Sequence, residues 1–386
     1  MTSIFVTPNS TDMTAQAVSI TPMTDDLPPV VTRLDMPARV QASYTTRFVG
    51  AAVDADPAAF HLLAGDSVVP HSGDVVIARV MEILNHKRVE TPESRKAILF
   101  EGALIMLAYG NRYAADQFLA HVPDSLEPCH LVAAGGIAGT VTMAHEKMED
   151  PTMIEPIGLL ANQHGVVNIA DYAPHQLPTS SDAALGVLEH QPRPEVIAVL
   201  GTAMNSGKST TMACLINGLV QSGRRVTAGK ITGTGAGNDP MIYHDAGAAR
   251  VLDFTDFGYP TTFKLNMADI KALTLGLVEE LSDAETDVVV VEIADGIYQE
   301  ETAQLLRDKV FQDTIDQVVF SATDALGARA GVQELQAAGL RVAVASGVMT
   351  ASPLATIEAR QVLDVPVIPT FDLTHPEEAA ALLVRA

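Results

Sequence analysis

Residues 195–211 read EVIAVLGTAMNSGKSTT, and the fold turns on how this stretch is taken. EVIAVL, 195–200, suits a short strand buried on both faces. The turn after it carries Gly207-Lys208-Ser209-Thr210 and opens into a helical stretch from Lys208 to about Gln221, which Gly223 can terminate. Strand, glycine-bearing turn and helix in that order make an anion cradle, because successive amides converge and the helix N-terminus adds its positive end. One departure stands out. The usual spacing puts the first glycine five residues before the second, at Thr202; here glycine comes one step earlier, at Gly201. The residues expected to cradle phosphate are Gly201, Thr202, Asn205, Ser206, Gly207, Lys208, Ser209 and Thr210. Lys208 would reach the β- and γ-phosphates and Ser209 would hold Mg²⁺.

Downstream the pattern alternates. RRVTAGKI (224–231), DVVVVEIA (287–294), DQVVFSA (316–322), RVAVAS (341–346) and VPVIP (365–369) read as buried strands with helical stretches between them. Asn266, with Asp269 three residues on, caps one helix running to about Leu281. Such alternation predicts a doubly wound, mostly parallel sheet covered on both faces, an α/β domain of the P-loop NTPase kind over 195–386. Upstream, 176–194 is a proline-bearing linker, 31–175 a smaller β-rich domain, and 1–30 a loose tail. The β-like runs are 40–51, 73–84, 96–110, 130–141 and 157–169, with one helix near 113–120, suggesting a barrel or sandwich.

Composition narrows the function classes. The 386 residues carry a formal charge of −23, so a nucleic-acid partner is not expected. Apolar residues make up 47%, enough for a sizeable core. Two distant cysteines, Cys129 and Cys214, exclude a disulfide framework, and Cys214 falls on the inner face of the first helix. No apolar run reaches membrane-spanning length and the N-terminus lacks a signal pattern, so a cytoplasmic location is expected.

GTAMNSGKSTT resembles the phosphate loop of the dethiobiotin synthetase and cobyrinic acid amide synthase family, where the first glycine also stands one step early. The likeness covers about 195–370. It implies a substrate- or phosphate-contacting lysine at the end of the second strand, which Lys230 in VTAGKITG matches. It implies a metal-binding aspartate in the following loop, matched by Asp245, although Asp239, Asp253 and Asp256 lie in the same region. It implies an acidic residue closing the third strand, matched by Glu292, where Ile293 and Ala294 replace the family's glycines. Catalytic roles for Lys208 and Lys230, and Mg²⁺ on Ser209, Asp245 and Glu292, follow from the resemblance. The implied activity is ATP- and Mg²⁺-dependent transfer of the γ-phosphoryl group to a carboxylate or carbamate, in a ligase or kinase acting on a small acid or amino acid. The implied assembly is a homo-oligomer.

Two readings stand beside it. One is a nucleotide-regulated switch of the metal-delivery GTPase type, against which stands the lack of an Asn-Lys-x-Asp guanine motif. The other is an acyltransferase whose loop holds the phosphates of coenzyme A. Weaker signals are the glycine-rich TGTGAGND (232–239), Thr323, Asp324 and Arg329 after the fourth strand, and SGVMTASPL (346–354). In the first domain they are NHKRVE (85–90), GGIAG (135–139) as a tight bend, and Arg112, with helix capping by Asn111 as its alternative.

Overall fold

Val288–Ile293 is buried at every position, as a valine run can be only inside a sheet covered on both sides. In the computed structural model, which describes residues 31–177 and 193–384, this strand lies third in a six-stranded sheet. The order is Val251–Asp253, Val226–Thr232, Val288–Ile293, Glu195–Gly201, Gln317–Ser321, Val342–Ser346, and every pairing is parallel. Side chains alternate between two cores. Val196, Ala198, Leu200, Val289 and Val291 meet the helices Met267–Leu281 and Ala325–Ala337 on one face. Ile197, Val199, Val288 and Val290 meet the helix Lys208–Gln221 on the other, with Cys214 in that core. The glycine-bearing turn thus leaves the middle of the sheet at its carboxyl edge, where open α/β sheets bind ligands.

Two details differ from the sequence expectation. Residues 365–369 form no strand; only Val367 bridges to Ala345, because the two prolines of VPVIP interrupt the ladder. The short edge strand Val251–Asp253 goes unanticipated, its three residues being too few for a periodic signal.

The first domain contains an eleven-stranded sheet. Five of its strands close a ring: Thr152–Asn162 pairs with Val75–Glu82, that strand with Leu104–Tyr109, that with Ile137–Ala144, that with Cys129–Ala133, and the last with Thr152–Asn162 again. Period-2 alternation fills the ring. Val76, Ala78, Val80, Leu107, Leu131 and Leu159 point inward, while Val75, Ile77, Met106 and Ala108 pack outward under the helix Arg47–Ala55. The run at 40–51 was expected to be a strand, yet most of it is this helix and the turn before it, since Val49 and Val53 are spaced for one helical face. Near 113–120 the expected helix is instead a strand pair, Arg112–Tyr113 with Phe118–His121. The tail 1–30 and most of the linker lie outside the described residues.

Candidate functional site

The early glycine has a packing cause. A Cβ on Gly201 would stand 2.2 Å from Ser206 Oγ, 2.9 Å from Lys208 Cγ and 3.0 Å from the Ser321 carbonyl oxygen. The loop folds back over the end of its own strand, and only glycine leaves room for it. Thr202 then donates its amide to the Ser321 carbonyl at 3.0 Å. Asn205 and Gly207 take positive φ, 61° and 95°, and Gly207 caps the helix that starts at Lys208. Asparagine and glycine are the residues that tolerate this conformation. The first amides of that helix have no intrahelical acceptor. Ser206 Oγ and Thr202 Oγ1 are buried without a hydrogen-bond partner. Lys208 curls across the loop and donates to the Ala203 carbonyl at 2.9 Å; burial lowers its pKa, with Glu292 and Asp295 offsetting part of that.

Behind the loop lies a polar cluster. Ser209 Oγ donates to Glu292 Oε2 at 2.9 Å, and the Tyr243 hydroxyl donates to the same oxygen. Lys230 Nζ lies 3.4 Å from Glu292 Oε1 and pairs directly with Asp239. Glu292 is 2% exposed and Lys230 8%, so neither charge would persist there without the other. Burial works against the Lys230 charge, but Glu292 and Asp239 outweigh it and raise its pKa; Lys230 in turn holds Asp239 below the ordinary carboxylate range in spite of burial.

The cluster opens on a cleft of about 740 Å³ between the two domains. Its walls include Asn205, Gly207, Lys208, Ser209, Thr210, Lys230, Asp239, Glu292 and Asp295 from the second domain. His86, Arg112, Gln117 and Gly135 come from the first. Asn205, at the tip of the loop, donates to the carboxylate of Asp116. The two glycine-rich segments meet: a Cβ on Gly135 would stand 1.9 Å from the Gly235 carbonyl oxygen.

Asp245 stands exposed at the last position of the helix Asn238–Asp245 and does not line the cleft; Asp239, in the first turn of that helix, does. Asp253 and Asp256 face the first domain, bonded to Tyr44 and Arg47. Asp324 caps the helix Ala325–Ala337 through the Gly327 amide. From 346–354, Val348 reaches the cleft. Asp116, Tyr243 and Asp295 were not singled out from sequence; no motif surrounds them, although the acid directly after the alanine of EIADG was a signal for Asp295.

No family model matches the chain, and no curated protein matches it. Solved structures do match. One is the signal recognition particle receptor FtsY from Elizabethkingia anophelis, 15% identical over 55% of this chain and 74% of that one, with a TM-score of 0.32. Another is that receptor in complex with GDP, 17% identical over 56% of this chain and 70% of that one, also with a TM-score of 0.32. Likeness at this level says nothing by itself about what this chain does. The expected kinship with dethiobiotin synthetase and the cobyrinic acid amide synthases is corrected: no family model or curated protein matches, and the solved structures that do match are signal recognition particle receptors. The ligase or kinase acting on a small acid goes with it, as do the small-molecule partner and the homo-oligomer. There is a physical reason. A lysine and a carboxylate beside the phosphate loop are shared across P-loop proteins. At the turn that should have carried family glycines, the Ala294 carbonyl instead accepts from the hydroxyls of Thr232 (2.5 Å) and Thr302 (3.1 Å).

Proposed function

We propose that residues 195–384 form a P-loop nucleotide-binding domain and that the first domain reads its nucleotide state, making the chain a nucleotide-regulated switch. The observation that carries this reading is the position of Asn205. It belongs to the phosphate loop, yet its side chain is held by Asp116 of the other domain. Phosphate bound by the loop amides and Lys208 would compete for the same loop geometry, so occupancy and domain contact are coupled.

Mg²⁺ fits the donors present. It takes one or two protein ligands and completes its shell with water and phosphate oxygens; Ser209 and Glu292, already 2.9 Å apart, would supply them. The metal would neutralise charge on the terminal phosphates. Lys230 orients Glu292 and Asp239, and Tyr243 fixes the second carboxylate oxygen. Nucleoside triphosphates being intracellular, the switch would work in the cytoplasm.

One observation favours a second reading. Lys230 already bridges Asp239 and Glu292, so both carboxylates have a cation beside them without a metal. That suits coenzyme A held by its phosphates. Thermal melts with ATP, GTP, the diphosphates and coenzyme A, each with and without MgCl₂, separate the two. A ligand at a hundred times its Kd adds about 2.7 kcal/mol, a shift that is easily read. The expected result is Mg²⁺-dependent protection by ATP or GTP that Lys208→Ala abolishes, with the stronger of the two identifying the base. Protection by coenzyme A alone would sink the switch.

A further inference from the structure

Resting on that reading, we propose that Arg112 of the first domain reaches across the cleft to the terminal phosphate of the nucleotide, a cationic group supplied by one domain to the site of the other. Arg112 is 7% exposed and lines the cleft that Lys208 and Lys230 also line. Its Nη2 donates to Gln117 Oε1 at 2.7 Å. Its Nε and Nη1 are buried with no partner, and among the described residues it forms no ion pair. A guanidinium in that state is costly, because burial removes water from donors that nothing replaces. Among the described residues no carboxylate is in contact with it. Asp295 and Asp116 attract it only from a distance; Asp116 gives Oδ2 to Asn205, and its Oδ1, buried without a partner, does not reach the guanidinium.

Position and chemistry agree on the missing partner. Arg112 stands four residues before Asp116, so the turn that grips the phosphate loop also carries the guanidinium to its mouth. A planar guanidinium with free donors matches phosphate oxygens, and being always charged it needs no proton from the site. In hydrolysis a water oxygen bonds to the terminal phosphorus as the bridging P–O bond breaks. The electron pair leaves with the diphosphate and the water proton goes to the phosphate released. Arg112 takes no proton; it offsets charge on the equatorial oxygens, which such arginines do to the extent of about 10³–10⁵ in rate. Without the terminal phosphate this contact is not made, so it distinguishes the two nucleotide states.

The test uses the full chain, whichever of ATP and GTP protects it, and the matching diphosphate with and without aluminium fluoride. Wild type is expected to bind the diphosphate at least tenfold tighter with aluminium fluoride. Arg112→Ala is expected to bind the bare diphosphate within threefold of wild type, to lose the tightening, and to hydrolyse triphosphate at least a hundredfold more slowly. Arg112→Lys keeps a charge at the site should the alanine variant fail to fold, and is expected to recover only part of the tightening. Either variant matching wild type in both tightening and hydrolysis overturns the proposal while leaving the switch intact. A wild-type chain that binds no nucleotide overturns the switch itself.

Discussion

At Gly201 the departure from the usual motif and its cause are one carbon atom apart. Gly201→Ala would place that carbon 2.2 Å from Ser206 Oγ, 2.9 Å from Lys208 Cγ and 3.0 Å from the Ser321 carbonyl oxygen; the hydroxyl can turn, but the backbone oxygen moves only with its strand. Overpacking of this kind costs about 1–3 kcal/mol, and part of it should appear as lost ligand affinity. The expected outcome is at least tenfold weaker triphosphate binding by calorimetry together with a lower melting temperature. Thr202→Gly restores the usual spacing without adding atoms, and Thr202 Oγ1 has no partner to lose; it should bind within threefold of wild type. Full binding by Gly201→Ala would refute the packing account. The motif itself was legible because its residue types follow from backbone conformation, which is local. Asp239 was not separable from Asp245 by the same means. Both sit on one short helix, and which end faces the cleft is decided by the sheet that aims it.

Elements were legible where burial is two-sided. The strands at 195, 288, 317 and 342 are built on short continuous apolar runs, a pattern that admits little else inside an alternating α/β chain, and the one at 226, with Thr227, Lys230 and Thr232, is read from its place in that alternation. The first domain was harder. Residues 113–120 look helical in composition, but pairing of Phe118–His121 with Ile137–Ala144 overrides local preference. Tertiary context also reverses propensity within the helix Lys208–Gln221. Gly218 lies in its interior, where alanine ordinarily gains about 1 kcal/mol over glycine. Here a Cβ would meet the Leu373 carbonyl oxygen at 2.1 Å and the Ala379 Cβ at 2.7 Å. The backbone oxygen cannot step aside as a side chain would. Gly218→Ala is therefore expected to destabilise, by about 1–3 kcal/mol, in urea unfolding followed by circular dichroism. A stabilised variant would mean that the Thr370–Thr374 turn does not sit where it is placed.

The scale of the whole molecule is where sequence reading stops, because the domains meet through pairs some 209 positions apart. Arg47 Nη2 contacts Asp256 Oδ1 at 2.6 Å and its Nη1 donates to Thr255 Oγ1 at 2.8 Å, while Tyr44 donates to Asp253 Oδ2 at 2.9 Å. Beside them, the Gly237 amide donates to Glu90 Oε2 at 2.8 Å. Burial and the neighbouring Asp253 hold Asp256 above the ordinary carboxylate range, and Arg47 offsets part of that. A carboxyl whose folded pKa is raised carries a cost that is present above that pKa and relieved as pH falls through it. Removing Arg47 removes the offset. Arg47→Met, which keeps most of the packing, should lower the unfolding free energy by about 3–5 kcal/mol at pH 8, the range for breaking a buried pair from one side. Because Asp256 can then escape by taking a proton, the loss should shrink between pH 8 and pH 5. Denaturant melts of both proteins at the two pH values supply the check. A loss of equal size at both would assign the effect to the guanidinium's stacking on Tyr44 and Phe48, whose ring centres lie 4.2 and 4.3 Å away, and not to its charge.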